Sequence, residues 1–145
     1  MENSTWKKTL DKDRVSAVII KEDKILLIHR FREGKEYWVL PGGGIEKDET
    51  KESALEREVL EELSLAVIDK RFLFTVFNVG RNEHHYLITK YSGAVKLGGP
   101  EAKRANENNK YLLTWVPMSE FKQLNIFYPP QIKDRLVFMW DNKKI

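Results

Sequence analysis

Acidic side chains are concentrated in one short segment of this chain, between residues 46 and 62. Eight of the 22 Asp and Glu residues lie there beside three basic residues, so the segment carries about −5 in a chain of formal net charge +3. The remaining residues therefore carry about +8. Closely spaced carboxylates are the ligands that Mg²⁺ and Mn²⁺ take in proteins, often together with substrate phosphates. The pattern indicates a divalent-metal site in the neighbourhood of an anionic ligand.

Three of these carboxylates share one edge of a predicted helix. Residues 50–63 have the pattern of a helix, and Asp48, Glu49 and Thr50 are the candidates for its N-terminal cap and first turn. At about 100° per residue, Glu58, Glu61 and Glu62 fall on one arc of the helix. A neighbouring apolar arc is expected to face the core, and it consists of Leu55, Val59, Leu60 and Leu63.

These carboxylates oppose the stability of the helix that carries them. Glu58 lies three and four residues before Glu61 and Glu62, and each like-charge pair at such a spacing costs an isolated helix roughly 0.2–0.5 kcal/mol. The helix dipole also disfavours negative charge in the second half of a helix. Departures from local preference are expected where function requires them. The alternative is an ordinary solvated acidic face.

A triple-glycine segment, Gly42–Gly44, precedes the helix and predicts a tight turn or a close approach of two backbones. From Gly43 onward the residues resemble the Nudix box, G-x5-E-x7-R-E-U-x-E-E-x-G-U, in which U is a bulky aliphatic residue. The resemblance covers 23 residues, and eight of the nine defined positions agree. The exception is Ser64, where the family has a glycine at a helix end that often takes left-handed backbone angles.

The resemblance implies a role for each matching residue. The implied metal ligands are Glu58, Glu61, Glu62 and a backbone carbonyl of Gly42 or Gly43. The implied catalytic residues are Arg57, Glu58 and Glu61. Arg57 is expected to orient the neighbouring carboxylates through charge-assisted hydrogen bonds. Glu49 is expected to support the geometry of the loop before the helix.

The resemblance also implies an activity and a cofactor. The expected reaction is hydrolysis of a diphosphate linkage, with Mg²⁺ or Mn²⁺, in a nucleoside diphosphate joined to another moiety. The general base stays open between Glu61 and two residues of a later loop, Glu101 and Glu107. His84 and His85 are adjacent in a predicted strand, so their side chains point to opposite faces, and one of them is expected to be inward and structural.

Basic and aromatic residues near predicted strand ends are the candidates for substrate binding. The candidates for phosphate contacts are Arg30, Arg32, Arg81 and Lys35, and those for stacking on a base are Trp38, Phe127 and Tyr128. Ordinary surface charge and core packing are the alternatives for these residues. No feature identifies the moiety joined to the nucleotide, and a nucleoside triphosphate is the first hypothesis.

The rest of the chain predicts a mixed α/β, or α+β, fold. Strands are expected at 14–20, 25–31, 37–40, 65–79, 84–92 and 111–116, and helices at 50–63, 119–124 and 130–140. With the resemblance, this pattern predicts a Nudix-type α/β/α sandwich around a central mixed β-sheet. We expect one domain spanning residues 1–145.

Composition narrows the classes of function. The chain has no cysteine, which excludes disulfides and thiolate catalysis and argues against the related isopentenyl diphosphate isomerases. The N-terminus does not have the apolar run of a signal peptide, so a cytoplasmic protein without a membrane partner is expected. The scattered basic charge gives no reason to expect specific nucleic-acid binding, and monomer and homodimer both stay open. The alternative to an enzyme is a non-catalytic Nudix-like module that binds a nucleotide or a protein.

Overall fold

The computed structural model describes residues 12–98 and 108–145, so Glu101 and Glu107 lie outside the described residues. The strands are β1 (Arg14–Val18), β2 (Ile20–Lys21), β3 (Lys24–Arg32), β4 (Lys35–Val39), β5 (Gly42–Gly44), β6 (Ala66–Asn78), β7 (Arg81–Ser92) and β8 (Asn109–Pro117). The helices are α1 (Lys51–Leu63), α2 (Met118–Phe121) and α3 (Pro130–Asp141). Among the described residues, no helix combines the length and the apolar character needed to cross a membrane.

The strands form two sheets. In the mixed sheet the strand order is β5-β1-β7-β6, with β1 and β7 parallel and the other pairs antiparallel. In the antiparallel sheet the order is β2-β3-β4, and β8 also pairs with β3. One helix packs on each side of the mixed sheet, so the predicted α/β/α arrangement with a mixed sheet is confirmed.

Alternation along the strands divides the core in two. Val15 and Ala17 of β1 are fully buried against α1, together with Tyr86 of β7. Val18 has the opposite parity and packs in the second cluster with residues of α3. Successive residues of a strand point to opposite faces, so the same short strand contributes to both layers. The strands thereby place α1 against one face and α3 against part of the other face, where the cleft also opens.

The helix α1 begins as the sequence predicts. Thr50 is the N-cap, and its Oγ1 accepts a hydrogen bond from the Ser53 N–H at 3.0 Å. The Thr50 N–H donates in return to the Ser53 Oγ at 3.0 Å, which completes a capping box. This pair of bonds fixes the first turn of the helix next to the glycine strand.

The prediction that Leu60 faces the core is wrong, since its side chain is 57% exposed whereas Glu62 is 4% exposed. The buried residues of α1 are Ala54, Leu55, Val59, Glu62 and Leu63. On the helical wheel they cover an arc of about 180°, with Glu62 near its centre and Leu60 about 60° beyond its Leu63 edge. The buried side is therefore shifted from the predicted one, so that it includes the glutamate and excludes the leucine.

The structure also decides two predictions about strands, one for the segment 65–79 and one for the three glycines. The segment 65–79, expected as one long bent strand or two, forms the single strand β6 over Ala66–Asn78, whose pairing with β7 shifts register near Asp69 and Phe72. The glycines form the strand β5 rather than a tight turn, and they permit a close backbone approach. A Cβ atom on Gly42 would lie 2.1 Å from the Val15 carbonyl oxygen, so no other residue fits there without displacing β1.

Candidate active site

Two glutamates of α1 reach the backbone of the glycine strand. The Glu62 Oε1 accepts a hydrogen bond from the Gly42 N–H at 2.7 Å. The Glu58 carboxylate lies against Gly43, where a Cβ atom would be 2.3 Å from the Glu58 Cδ. Glycine at position 43 therefore leaves the space that the carboxylate occupies. The two carboxylates therefore lie against adjacent residues of the glycine strand.

Arg57 connects the loop before α1 with the carboxylates on the helix. Its Nε and Nη2 donate to the two carboxylate oxygens of Glu49 at 2.7 and 2.8 Å, and Nη2 also donates to the Gly44 carbonyl at 3.0 Å. Its Nη1 donates to Glu58 and Glu61 at 2.9 and 2.8 Å. This geometry is the one that an orienting role for Arg57 and a supporting role for Glu49 require.

The bonds of Arg57, together with burial, shift the pKa values of Arg57 and its neighbours. The hydrogen bonds from Arg57 hold the pKa of Glu49 down to about 2. Burial raises the pKa of Glu58, and the neighbouring Arg57 offsets only part of that rise. The bonds to Glu49 raise the pKa of Arg57 above its usual range. Glu58 is thus a carboxylate that would gain from a further cation.

The three glutamates predicted to share a metal ion are not gathered into one cluster. Across residues 12–98 and 108–145, no three carboxylate or imidazole groups are arranged closely enough to hold an ion. Glu58 and Glu61 share the Arg57 guanidinium instead. The donor types nevertheless fit a hard divalent cation, because the Glu58 and Glu62 carboxylates lie beside the adjacent glycines Gly43 and Gly42.

A cleft of about 550 Å³ opens beside Gly42 and Glu62, between the two sheets. Its walls follow the alternation of the strands, so every second residue faces it. The charged and polar residues that line it from β1, β3 and β7 are Arg14, Ser16, Arg30, Arg32, Arg81, Glu83 and His85. The three arginines predicted to contact phosphates therefore all line the same cleft.

Arg30 is held in a fixed position on the cleft wall. Its Nη2 donates to the Asn109 Oδ1 at 3.0 Å, and its guanidinium lies 3.7 Å from the Tyr111 ring centroid and 5.6 Å from that of Tyr37. Tyr37 and Tyr111 are the register partners of Arg30 on β4 and β8. The cross-strand row gives the cleft a flat surface that is both aromatic and cationic.

Sequence reasoning missed Arg14, which lines the cleft next to the glycine strand. Its Nη2 donates to the Leu40 carbonyl at 3.1 Å and its Nε to the Ser16 Oγ at 3.3 Å. In the register of the mixed sheet, Arg14 lies between Gly44 and Glu83. The alternation of Arg14 and Ser16 at the start of β1 was the available signal, but it does not identify the neighbouring strands.

A buried carboxylate on β7 was missed as well. Glu83 is 2% exposed, and its Oε2 accepts a hydrogen bond from the Asn78 Nδ2 at 2.8 Å. The Arg81 Nε lies 3.5 Å from the same oxygen. Part of the charge of Arg81 is therefore already neutralised, which leaves Arg14, Arg30 and Arg32 as the stronger cationic groups of the cleft.

The two histidines are both buried, on opposite faces of β7. His85 lines the cleft and stacks on Phe74, and burial lowers its pKa to about 4. His84 faces the other side, where its Nδ1 lies 2.7 Å from the Thr75 Oγ1. At neutral pH the cleft histidine carries no charge.

The aromatic candidates divide between the cleft and the opposite face of the antiparallel sheet. Phe127 and Tyr128 line the cleft. Trp38 does not, since its ring stacks on His29 with centroids 3.8 Å apart. Lys35 lies on a smaller neighbouring groove rather than in the cleft. Parity along β4 explains the position of Trp38, because Tyr37 faces the cleft and its neighbour Trp38 must face away.

Comparisons with known proteins identify one family. The family model of the NUDIX domain matches residues 11–134. Over 120 residues the chain is 28% identical to the 8-oxo-dGTP diphosphatase of Buchnera aphidicola subsp. Schizaphis graminum, covering 79% of this chain and 84% of that protein.

Solved structures share the fold. The MutT Nudix hydrolase from Burkholderia pseudomallei is 27% identical with a TM-score of 0.61, covering 74% of this chain and 84% of that one. The MutT protein from Methanosarcina mazei Go1 is 21% identical with a TM-score of 0.69, covering 92% and 94%. The chain therefore belongs to the Nudix family.

Proposed function

We propose that this protein hydrolyses a diphosphate linkage of a nucleotide, with Mg²⁺ or Mn²⁺ as its cofactor. One observation carries the proposal. The Glu58 and Glu62 carboxylates lie beside the adjacent residues Gly43 and Gly42, and Glu62 and Gly42 line a cleft that contains four arginines. Carboxylates for a cation and arginines for phosphates are thus placed side by side.

The residues that would hold the cation are Glu58 and Glu62, with the Gly42 carbonyl as a backbone ligand, and Glu61, which bonds Arg57 in the structure, would be a further ligand. When bound, the cation supplies Lewis-acid stabilisation of the negative charge on the diphosphate. Arg57 holds the Glu58 and Glu61 carboxylates in place, and its bonds to Glu49 fix it in turn. Glu61 stays a candidate for the general base, beside Glu101 and Glu107.

The cleft supports a small-molecule nucleotide as substrate. Arg14, Arg30 and Arg32 supply positive charge for the phosphates, and Arg30 with Tyr111 forms a stacking surface for a base. The Buchnera relative is named as a diphosphatase of 8-oxo-dGTP. Oxidised purine nucleoside triphosphates therefore belong among the first compounds to test, together with the ordinary triphosphates and nucleoside diphosphate derivatives.

The test is a panel of these compounds, incubated with the wild-type protein in Mg²⁺, in Mn²⁺ and in a chelator. We expect at least one compound to be cleaved at the diphosphate linkage, with pyrophosphate or a nucleoside monophosphate released, and we expect the chelator to stop the reaction. Cleavage that persists in the chelator would contradict the metal dependence. Tight binding of nucleotides without cleavage would instead support the non-catalytic module.

A further inference from the structure

The C-terminal end of α1 is tied to residues 93–98, which follow β7 and which we call the 93–98 loop. The Gly98 N–H donates to the Glu62 carbonyl at 3.0 Å, and the Lys96 N–H donates to the Leu63 carbonyl at 2.9 Å. The last carbonyls of a helix have no partner within the helix. Here the loop supplies two of these partners, directly at the residues that follow Glu61.

Ser64 adds a side-chain bond to the same contact. Its backbone is left-handed, with φ 63° and ψ 31°, and its N–H donates to the Leu60 carbonyl at 3.0 Å. Its Oγ donates to the Lys96 carbonyl at 3.2 Å. A glycine in this position would allow the same backbone angles but would have no hydroxyl. The departure from the Nudix box therefore creates a bond that a glycine cannot make.

The loop and the helix end approach so closely that two glycines are required. A Cβ atom on Gly98 would lie 2.8 Å from the Glu61 carbonyl oxygen, and one on Gly93 would lie 2.9 Å from the Ser64 carbonyl oxygen. Both neighbours are backbone atoms, which cannot rotate away as a side chain can. A methyl group on Gly98 must therefore separate the loop from the last turn of α1.

This contact bears on the electrostatic cost of the glutamates. Glu58, Glu61 and Glu62 lie in the second half of α1, near the negative end of the helix dipole. The Lys96 and Gly98 N–H groups point at that end and offset part of its negative charge. They also fix the last turn, whose backbone sets where the Glu61 and Glu62 carboxylates can reach.

We propose that the 93–98 loop is a positioning element for Glu61 and Glu62, and that Ser64 is the positioning residue that fastens it to α1. The proposal rests on the proposed function in one respect, namely that these glutamates hold the cation. The loop acts on the backbone of the helix, at the carbonyls of Glu62 and Leu63. Loosening it should therefore weaken cation binding more than nucleotide binding.

The test uses Mn²⁺ alone, titrated calorimetrically into the full-length protein without nucleotide. For Gly98→Ala we expect the Mn²⁺ dissociation constant to rise roughly tenfold, as for the loss of a group that orients metal ligands. For Ser64→Ala, which removes one hydrogen bond, we expect a rise of about threefold. The matched control is Ala94→Ser, an exposed position on the same loop, and its dissociation constant should equal that of wild type.

Ser64→Gly separates positioning from stability. Glycine relieves the left-handed backbone at position 64, so the thermal unfolding midpoint should rise, while loss of the hydroxyl should raise the Mn²⁺ dissociation constant about threefold. A residue that serves stability alone would raise the unfolding midpoint without weakening the binding of Mn²⁺. The KM for a cleaved nucleotide, measured in saturating Mn²⁺, should change less than the Mn²⁺ constant.

Three results would overturn the proposal. The first is a folded Gly98→Ala protein that binds Mn²⁺ as tightly as wild type. The others are an Ala94→Ser protein that loses as much Mn²⁺ affinity as Gly98→Ala, and a wild-type protein that does not bind Mn²⁺. If Gly98→Ala does not fold, unchanged Mn²⁺ binding by Ser64→Ala overturns it. Failure of the proposed function can be distinguished from failure of the positioning role of the loop. A wild-type protein that binds Mn²⁺ but cleaves no nucleotide refutes the enzymatic function, while the titrations still decide the role of the loop.

Discussion

Replacing Arg57 with glutamine should release the carboxylate that it constrains most. Arg57 forms two bonds to Glu49, at 2.7 and 2.8 Å, and these bonds are the main cause of the Glu49 pKa near 2. In Arg57→Gln we expect the Glu49 pKa to rise towards its ordinary value of 4.5. The rise should remain incomplete, because the Glu46 N–H still donates to Glu49 at 2.8 Å. The assay is an NMR titration of the side-chain carboxyl carbons.

The same shift sets the size and sign of a stability change. A shift from 4.5 to about 2 corresponds at most to about 3.4 kcal/mol, at 1.36 kcal/mol per unit. Solvent screens the partly exposed Glu49 carboxylate, so about 1–2 kcal/mol is the expected loss of unfolding free energy in Arg57→Gln. Because the folded-state pKa is lowered, the stabilisation is complete above pH 4.5 and disappears as pH falls through 2.

Urea unfolding of wild type and Arg57→Gln at pH 6 and at pH 3 measures this difference. We expect a larger gap between the two proteins at pH 6 than at pH 3. Arg71→Gln is the control, because Arg71 contacts the Lys144 carbonyl far from the glutamates, and its gap to wild type should lack this pH dependence. A Glu49 pKa that stays near 2 in Arg57→Gln, or a gap that does not depend on pH, would refute the reasoning.

Three further outcomes follow from the same site. Burial lowers the pKa of His85 to about 4, so relative to His85→Gln the wild type should lose up to about 3 kcal/mol of unfolding free energy as pH falls from 6.5 through 4, measured by urea unfolding. Gly43→Ala places a methyl 2.3 Å from the Glu58 Cδ, and calorimetry should show Mn²⁺ affinity falling roughly ten- to hundredfold. Arg30→Lys loses the planar contact with Tyr111, so steady-state kinetics should show a nucleotide KM about tenfold higher with a smaller change in kcat.

Local sequence patterns predicted those parts of the site that lie within one continuous segment of the chain. The helix and its N-terminal cap depend on residues within a few positions of each other, and the structure has both. Ser64 takes the left-handed angles that the resemblance gives to the family's glycine. The glycines were expected to form a tight turn or a close backbone approach, and their partner on β1 could not be named. Leu60 was misplaced because the position of the buried arc depends on the elements packed against the helix.

The cleft could not be assembled from sequence, because its walls come from strands that are distant in the chain. Arg14 and Glu83 are neighbours through the parallel pairing of β1 with β7, and no local signal sets that register. Arg30, Arg32 and Arg81 were selected as isolated cations, and their common position in the cleft emerges from the pairing of the two sheets. Trp38 was misplaced because the parity of β4 is fixed by pairing with β3.

The most direct test of the account compares two glutamates of the same helix. Glu62→Gln keeps an acceptor for the Gly42 N–H, so the fold should persist, but it removes the charge proposed to hold the cation. Glu56→Gln is the matched control, since Glu56 is exposed and pairs with Lys70 away from the cleft. In saturating Mg²⁺ the account predicts that kcat/KM falls at least roughly hundredfold in Glu62→Gln and stays at the wild-type value in Glu56→Gln. Equal activity of the two variants would contradict it.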